Sequence, residues 1–169
     1  YFGGALTGGR VFACLAHDVV AHEATHALLD GLRPGFLEPS SPDQAAFHEG
    51  LSDIVALLSV FALEDVIGRL LAGEDDGPDP RLIHVDRLSF DALKDSAVFM
   101  LAEEMGQELA GIRGQPLRQS LKIAPNRNYL RDPKFAEEHV RGELLVAAII
   151  RAFIQVWVNR LARIGTIQD

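Results

Sequence analysis

The stretch DVVAHEATHALLDGL, residues 18–32, decides how the rest of the chain is interpreted. Its apolar residues recur with helical spacing over about residues 18–30, and Gly31 then offers a C-terminal stop, so we predict a helix. Two histidines and a glutamate stand inside this otherwise apolar helix, at His22, Glu23 and His26. Because an apolar helix seldom carries three such side chains so close together, the group needs a chemical explanation.

His22 and His26 have the spacing of a metal-binding pair. Side chains at positions i and i+4 of a helix lie on one face, with Cβ atoms about 5–6 Å apart. Both rings can therefore direct a nitrogen at one ion about 2.0–2.1 Å away. Glu23 is displaced by one residue and can reach a water on that ion, which is the physical content of the His-Glu-x-x-His pattern. The alternative is a pair of histidines that are only satisfied polar residues of a core.

A suitable third ligand follows in FHEGLSDI, residues 47–54. Glu49 lies 23 positions after His26 and would complete a site of two histidines and one carboxylate that leaves a position open for water. Asp53, one turn later on the same face, can accept a hydrogen bond from the far nitrogen of a ligand histidine. His48 is predicted to lie at the edge of this site, and it is the alternative ligand to Glu49.

These residues resemble those of the thermolysin-like zinc metallopeptidases, the gluzincins. DVVAHEATHAL matches the active-site helix of that family almost letter for letter, and EGLSD matches the Glu-x-x-x-Asp element of its second helix. The resemblance covers residues 11–60 best. It implies a zincin-like fold, zinc as the cofactor, and a peptide or protein as the substrate. It also implies zinc ligation by His22, His26 and Glu49, catalysis by Glu23, and orientation of a ligand histidine by Asp53.

The chain also departs from that family. The gap between the two helices lacks the family's tyrosine, for which Phe36 cannot substitute as a hydrogen-bond donor, and His48 replaces an asparagine. Some other donor must then meet the developing oxyanion, and we predict that His139 does so. Its position before a glycine and aliphatic residues, at the start of a predicted helix, is similar to that of the family's oxyanion-binding histidine. Glu137 or Glu138 would keep it protonated; the alternative is a solvated histidine in a first helical turn.

The remaining sequence predicts one zincin-like domain over residues 1–169, of the α+β class but mainly α. The start GGALTGGRVFACL predicts a loop and one strand of a small N-terminal sheet. Further helices are predicted from Ser41 or Asp43 to near Ala62, in EDVIGRLLA, over about residues 90–109, and over about residues 135–163. The last of these is apolar nearly all round and is predicted to be the central buried helix.

Composition and charge narrow the class of protein. Hydrophobic residues make up 48% and charged residues 24%, as in globular domains. The net charge of −8 argues against a nucleic-acid surface, which needs a basic stripe. The apolar run Leu144–Val158 is too short to span a bilayer and contains Arg151 and Gln155, so no membrane span is predicted. Cys14 is the only cysteine, which excludes an internal disulfide, and it is predicted to be buried.

The sequence therefore predicts zinc-dependent hydrolysis of peptide bonds with Glu23 as the general base. The rival prediction is a non-catalytic zincin-like binding or scaffold domain, in which the metal is structural or lost. The intact Glu23 favours the enzyme, because a structural site has no use for a free carboxylate beside its ion. The absence of the tyrosine favours the scaffold. Because the chain begins at Tyr1 without a methionine, we expect it to be an excised piece of a longer protein.

Overall fold

The computed structural model describes residues 2–3, 10–11, 14, 17–36, 38, 40–71, 83–94, 120, 123, 127–164 and 167–168. Its α-helices are α1 (His17–Leu32), α2 (Pro42–Phe61), α3 (Glu64–Leu71), α4 (Phe90–Lys94) and α5 (Glu138–Ile164). Short 3-10 turns occur at Pro34–Phe36, Val85–Leu88, Arg127–Arg131 and Pro133–Ala136.

The predicted α+β class is wrong, because the described part of the chain is all-α. Strand pairing there is limited to two ladders of two-residue strands. They join β1 (Phe2–Gly3) to β2 (Arg10–Val11) and β3 (Ile83–His84) to β4 (Ile167–Gln168). A two-residue strand places one side chain on each face, so such a ladder buries no apolar face and forms no layer of a fold. The predicted N-terminal sheet is therefore absent from the described residues.

The start and end of α2 follow the signals in the sequence. Ser41 precedes the helix, and its side-chain oxygen accepts a hydrogen bond from the backbone N–H of Gln44 at 3.2 Å. This interaction satisfies one of the N–H groups that the first turn leaves without a partner. The predicted break at Ala62 is confirmed, since α2 ends beside it and α3 begins at Glu64.

The predicted helix over residues 90–109 is described only over Phe90–Lys94, and the rest of it lies outside the described residues. The predicted central buried helix, α5, contributes to the core but is buried on one face only. Val146 and Ile150 are fully buried, whereas Ile149 is 42% and Val156 65% exposed. One face of α5 therefore packs against the rest of the protein, and another faces outward.

The apolar core lies between α2 and α5. Its fully or almost fully buried members are Ile54, Leu57, Ile67, Leu93, Val146, Ile150 and Ile154. Aromatic rings extend it, with the Phe61 ring centre 5.1 Å from that of Phe153 and 5.7 Å from that of Trp157. Phe47 and Val55, two large apolar residues of α2, are instead exposed.

Two glycines allow α2 and α5 to touch backbone to backbone. A Cβ atom added to Gly50 would lie 2.8 Å from the carbonyl oxygen of Gly142, and one added to Gly142 would lie 2.8 Å from that of Ala46. These separations are too short for any side chain unless the helices move apart. The contact places Glu49, the residue before Gly50, beside the first turns of α5, where His139 lies.

α1 packs against α2 with an inner face that is largely polar. Its buried residues are Asp18, Val19, His22 and Thr25. The apolar residues Leu28 and Leu32 are instead 65% and 74% exposed. The face of α1 that folding buries is thus the face that carries the histidines.

The predictions about a membrane span and about the burial of Cys14 also change. Residues Glu138–Arg160 of α5 are long and apolar enough to cross a membrane, and 28% of the apolar 18-residue stretch within them is buried inside the protein. Because the core helix of a soluble protein can have the same length and composition, this is weak evidence for a span. The prediction of no membrane span, made from the shorter run Leu144–Val158, is nevertheless not confirmed. Cys14 is exposed, contrary to its predicted burial.

Candidate metal centre

The packing of α1 against α2 brings His22, His26 and Glu49 together. The two oxygens of Glu49 lie 3.5 Å from the Nε2 atoms of His22 and His26, and these two nitrogens are 2.9 Å apart. Around one tetrahedral zinc ion with bonds of about 2.0–2.1 Å, neighbouring donor atoms are about 3.3 Å apart. The three donors therefore fit a single ion, provided that the histidine rings separate by a few tenths of an ångström.

The protonation states of these side chains suit a metal site. Burial raises the pKa of Glu49, but its interactions with His22 and with the charge of His139 outweigh burial, so the net pKa is below its ordinary value. Burial lowers the pKa of His26 and outweighs the opposing charge of Glu49. A carboxylate and a neutral imidazole are the forms that bind a metal.

Asp53 lies beside the other nitrogen of His22. One of its carboxylate oxygens is 2.7 Å from His22 Nδ1, and the His22 ring is almost completely buried. A carboxylate at this distance favours the tautomer with the proton on Nδ1, which leaves the Nε2 lone pair directed at Glu49 and His26. The structure thus places Asp53 where its predicted role requires it, and the role itself stays a prediction.

Glu23 is exposed on α1, one residue after His22. Its charge acts on His26 and favours the protonated form of that ring, so the two side chains lie within electrostatic range of each other. Glu23 is not among the three residues whose donor atoms converge. The arrangement is that of an accessible carboxylate next to the candidate metal site, and its role as a general base stays a prediction.

His139, at the start of α5, reaches the same group of side chains through Glu49. Its Nε2 atom lies 3.5 Å from an oxygen of Glu49, and its Nδ1 atom lies 2.5 Å from Glu137 Oε1. The other Glu137 oxygen accepts a hydrogen bond from the backbone N–H of Val140 at 2.8 Å. Of the two acids predicted to assist His139, Glu137 is therefore the one in contact with it.

The charge state of His139 follows from these contacts. Burial lowers its pKa, but the hydrogen bond to Glu137 and the charge of Glu49 outweigh burial, so the net pKa is above its ordinary value. A protonated imidazole donates hydrogen bonds from both nitrogens. With Nδ1 bound to Glu137, Nε2 is the donor that faces the site.

His48 does not join the three converging donors. Its Nδ1 atom lies 2.8 Å from the Nδ1 atom of His26, and its Nε2 atom lies 3.4 Å from Asp30 Oδ1. Phe36 packs its ring edgewise against His48, with ring centres 5.8 Å apart. Because His48 contacts the nitrogen of His26 that points away from Glu49, its position does not favour it as the alternative ligand to Glu49.

The sequence did not indicate a role for Asp30 or Glu143. Asp30 continues the i, i+4 series of His22 and His26 along α1, and this spacing was an available signal. Glu143 is an acid inside a strongly apolar helix, which was a second signal. Burial and the charge of Asp53 raise the pKa of Glu143 to about 7.

No family model matches the chain, and searches among curated proteins and solved structures found no match. The function of the site is therefore inferred from its residues and their geometry.

Proposed function

We propose that this protein is a zinc-dependent metallopeptidase in which His22, His26 and Glu49 hold the metal. The observation that carries the proposal is the convergence of these three donors from two packed helices. An exposed carboxylate, Glu23, stands next to them, and a histidine with a raised pKa, His139, faces them. A ligand set, a base and a cationic donor are the groups that metal-assisted hydrolysis needs.

The protein's own residues have distinct roles in this reaction. Bound zinc supplies a Lewis acid that polarises the scissile carbonyl and makes water acidic enough to attack near neutral pH. Glu23 accepts a proton from the attacking water and passes it to the leaving amine. Its exposure suits this role, because both water and an extended peptide can approach it.

His139 stabilises the negative charge that develops on the carbonyl oxygen. Glu137 holds its Nδ1 atom, which favours the protonated ring and directs Nε2 toward the site. A positioned donor of this kind contributes about 10²–10³ in kcat. His139→Ala should therefore lower kcat by that factor, with little change in zinc content or KM.

Metal analysis combined with Glu23→Gln tests the proposal. Protein purified without a metal-affinity tag should contain one zinc per chain. Glu23→Gln should keep this zinc and its thermal stability, because the amide has the same shape, while peptidase activity falls by about 10²–10⁴. Glu38→Gln, a change of the same kind at another exposed glutamate, should leave activity unchanged.

A zinc-binding scaffold is the second candidate function. Its support is Phe36, which packs against His48 and brings no hydroxyl donor to the site. In a scaffold, wild type and Glu23→Gln would be equally inert against a broad peptide library while both retain zinc. A large difference between the two proteins would exclude the scaffold.

A further inference from the structure

Three side chains form a line that leads away from the proposed metal centre. His26 Nδ1 lies 2.8 Å from His48 Nδ1, and His48 Nε2 lies 3.4 Å from a carboxylate oxygen of Asp30. The two ring planes are within 14° of parallel and the ring centres are 5.1 Å apart. This separation is close to the distance between the two Nδ1 atoms plus the distance from each of these atoms to the centre of its own ring. The two nitrogens therefore lie between the ring centres, as an in-plane N–H···N hydrogen bond requires.

We infer that Asp30, acting through His48, sets the tautomer of His26 and so keeps the Nε2 lone pair of His26 available to the metal. The inference rests on the proposed metal centre and adds two positioning residues to it. Neither Asp30 nor His48 touches the metal or the substrate in this scheme.

Counting protons along the line gives the direction of the hydrogen bond between the two histidines and the position of the proton on His48. Only one proton can lie between the two Nδ1 atoms. If His26 binds a metal through Nε2, its own proton is on Nδ1 and is donated to His48. His48 must then accept at Nδ1 and carry its proton on Nε2, where it faces the carboxylate of Asp30.

The reversed arrangement is disfavoured by Asp30. If His48 donated from Nδ1, the proton of His26 would move to Nε2 and block the metal. The Nε2 lone pair of His48 would at the same time face a negative carboxylate. The charge of Asp30 therefore selects the arrangement that leaves His26 free to bind. At 3.4 Å the contact is longer than an ideal hydrogen bond, so Asp30 acts mainly through its charge.

Packing holds this line of side chains in place. Asp30 and His26 are separated by one helical turn on the same face of α1, so one helix sets their spacing. The His48 side chain is largely buried, and the ring of Phe36 meets it edge-on. His22 is oriented by a different means, since Asp53 contacts its Nδ1 atom directly.

Zinc affinity in matched variants tests the inference without any need for catalysis. Asp30→Asn keeps the shape of the side chain but removes its charge, and an amide can donate as well as accept, so both tautomers of His48 become possible. We expect its zinc Kd, measured by competition with a chelator, to rise about 10–100-fold. Asp65→Asn, at an exposed aspartate of α3, is the matched control and should bind zinc as wild type does.

A second background separates a tautomer effect from a general structural effect. His48→Asn presents an amide oxygen to His26 but has no tautomers, so it should retain most of the zinc affinity. In that background Asp30→Asn should have almost no further effect, whereas independent structural effects would add. Nitrogen NMR of the zinc-free protein should show the His48 proton on Nε2 in wild type and a mixture of the two tautomers in Asp30→Asn, because bound zinc would by itself fix the tautomers of both rings.

The possible failures are distinguishable. If wild type binds no zinc, the proposed metal centre fails, and this inference fails with it. If wild type binds zinc tightly but Asp30→Asn binds equally well, or His48 is protonated at Nδ1, the inference alone is overturned and the metal centre stands.

Discussion

α2 has two packing surfaces of opposite character. Against α1 it packs with carboxylates that meet histidines, and α1 leaves its leucines exposed. Against the central part of α5 it packs with aliphatic side chains that are almost completely buried, and polar contacts such as that of Glu49 with His139 lie in the first turns of α5. Buried polar groups destabilise a fold unless they find partners, whereas buried apolar groups stabilise it directly. We therefore expect the α2–α5 packing to hold the fold, and the α1–α2 packing to depend on metal binding and protonation.

Loss of a proposed zinc ligand should destabilise the α1–α2 packing and leave the α2–α5 packing intact. His26→Ala should lose most of its zinc, because two remaining protein ligands bind the ion far more weakly. Hydrogen exchange should then show lower amide protection in α1 and little change in the central part of α5. Treatment of wild type with a chelator should give the same pattern. Full zinc occupancy in His26→Ala would overturn the ligand assignment.

A cavity in the core should have the converse effect. Ile150→Ala removes a fully buried side chain of α5 and should lower the free energy of unfolding by about 2–5 kcal/mol. Its zinc affinity should match that of wild type, since the ligands lie at the other surface of α2. Ile149→Ala, at the exposed neighbouring position, is the control. Equal losses from both variants in urea unfolding would contradict the burial difference between them.

Glu143 should make the α2–α5 surface sensitive to pH. Burial and the charge of Asp53 raise its pKa in the folded protein to about 7, above the value of 4.5 expected in the unfolded chain. The folded state then binds more protons between these values, so stability falls as pH rises through this window and levels off above it. The shift corresponds to at most about 3 kcal/mol.

Glu143→Gln tests this dependence, because an amide does not titrate. Urea unfolding of the zinc-saturated proteins should be measured from about pH 5 to about pH 8. Over this range the variant should lose less stability than wild type does. Glu138→Gln, at an exposed position of the same helix, should keep the wild-type slope. Identical slopes in wild type and Glu143→Gln would show that Glu143 is ionised in the folded state.

The smallest change concerns the contact between the helix backbones. Gly142→Ala places a methyl group 2.8 Å from the carbonyl oxygen of Ala46 and should cost about 1–3 kcal/mol of stability. Gly31→Ala, where a Cβ atom meets nothing within 4 Å, should be neutral or stabilise by up to about 1 kcal/mol. Calorimetric unfolding of both variants compares them. A Gly142→Ala protein as stable as Gly31→Ala would mean that α2 and α5 are not in backbone contact.

The groupings that helix geometry alone predicted lie within single helices, whereas the meeting of Glu49 with the two histidines and the role of His139 were predicted with the help of the resemblance. His22, Glu23 and His26 are related by helix geometry alone, and so are Glu49 and Asp53, so periodicity was enough to place each group on one face. Both helices form where predicted. Whether the group binds zinc and cleaves peptides stays a prediction.

Features that depend on contacts between distant segments could not be predicted in the same way. The approach of Gly50 to Gly142 joins positions 92 residues apart, and neither glycine differs locally from any other. The exposure of Phe47 depends on which neighbour covers each side of α2, which periodicity does not specify. The prediction of an N-terminal sheet was wrong for a related reason. Residues with high β-propensity form a sheet only when partner strands are long enough to bury a face.

The contact between Gly50 and Gly142 also bears on how the protein can change over generations. Glu49 directly precedes one glycine, and His139 lies three residues before the other. The spacing between the backbones of Glu49 and His139, here called their reach, is therefore determined by main-chain atoms that have no alternative rotamers. Aliphatic residues of the core can then be exchanged for others of similar volume while this reach is preserved. A single methyl group at either glycine would alter it. A change in the spacing of Glu49 and His139 would therefore be made most directly at these two positions, although neither glycine carries a side chain.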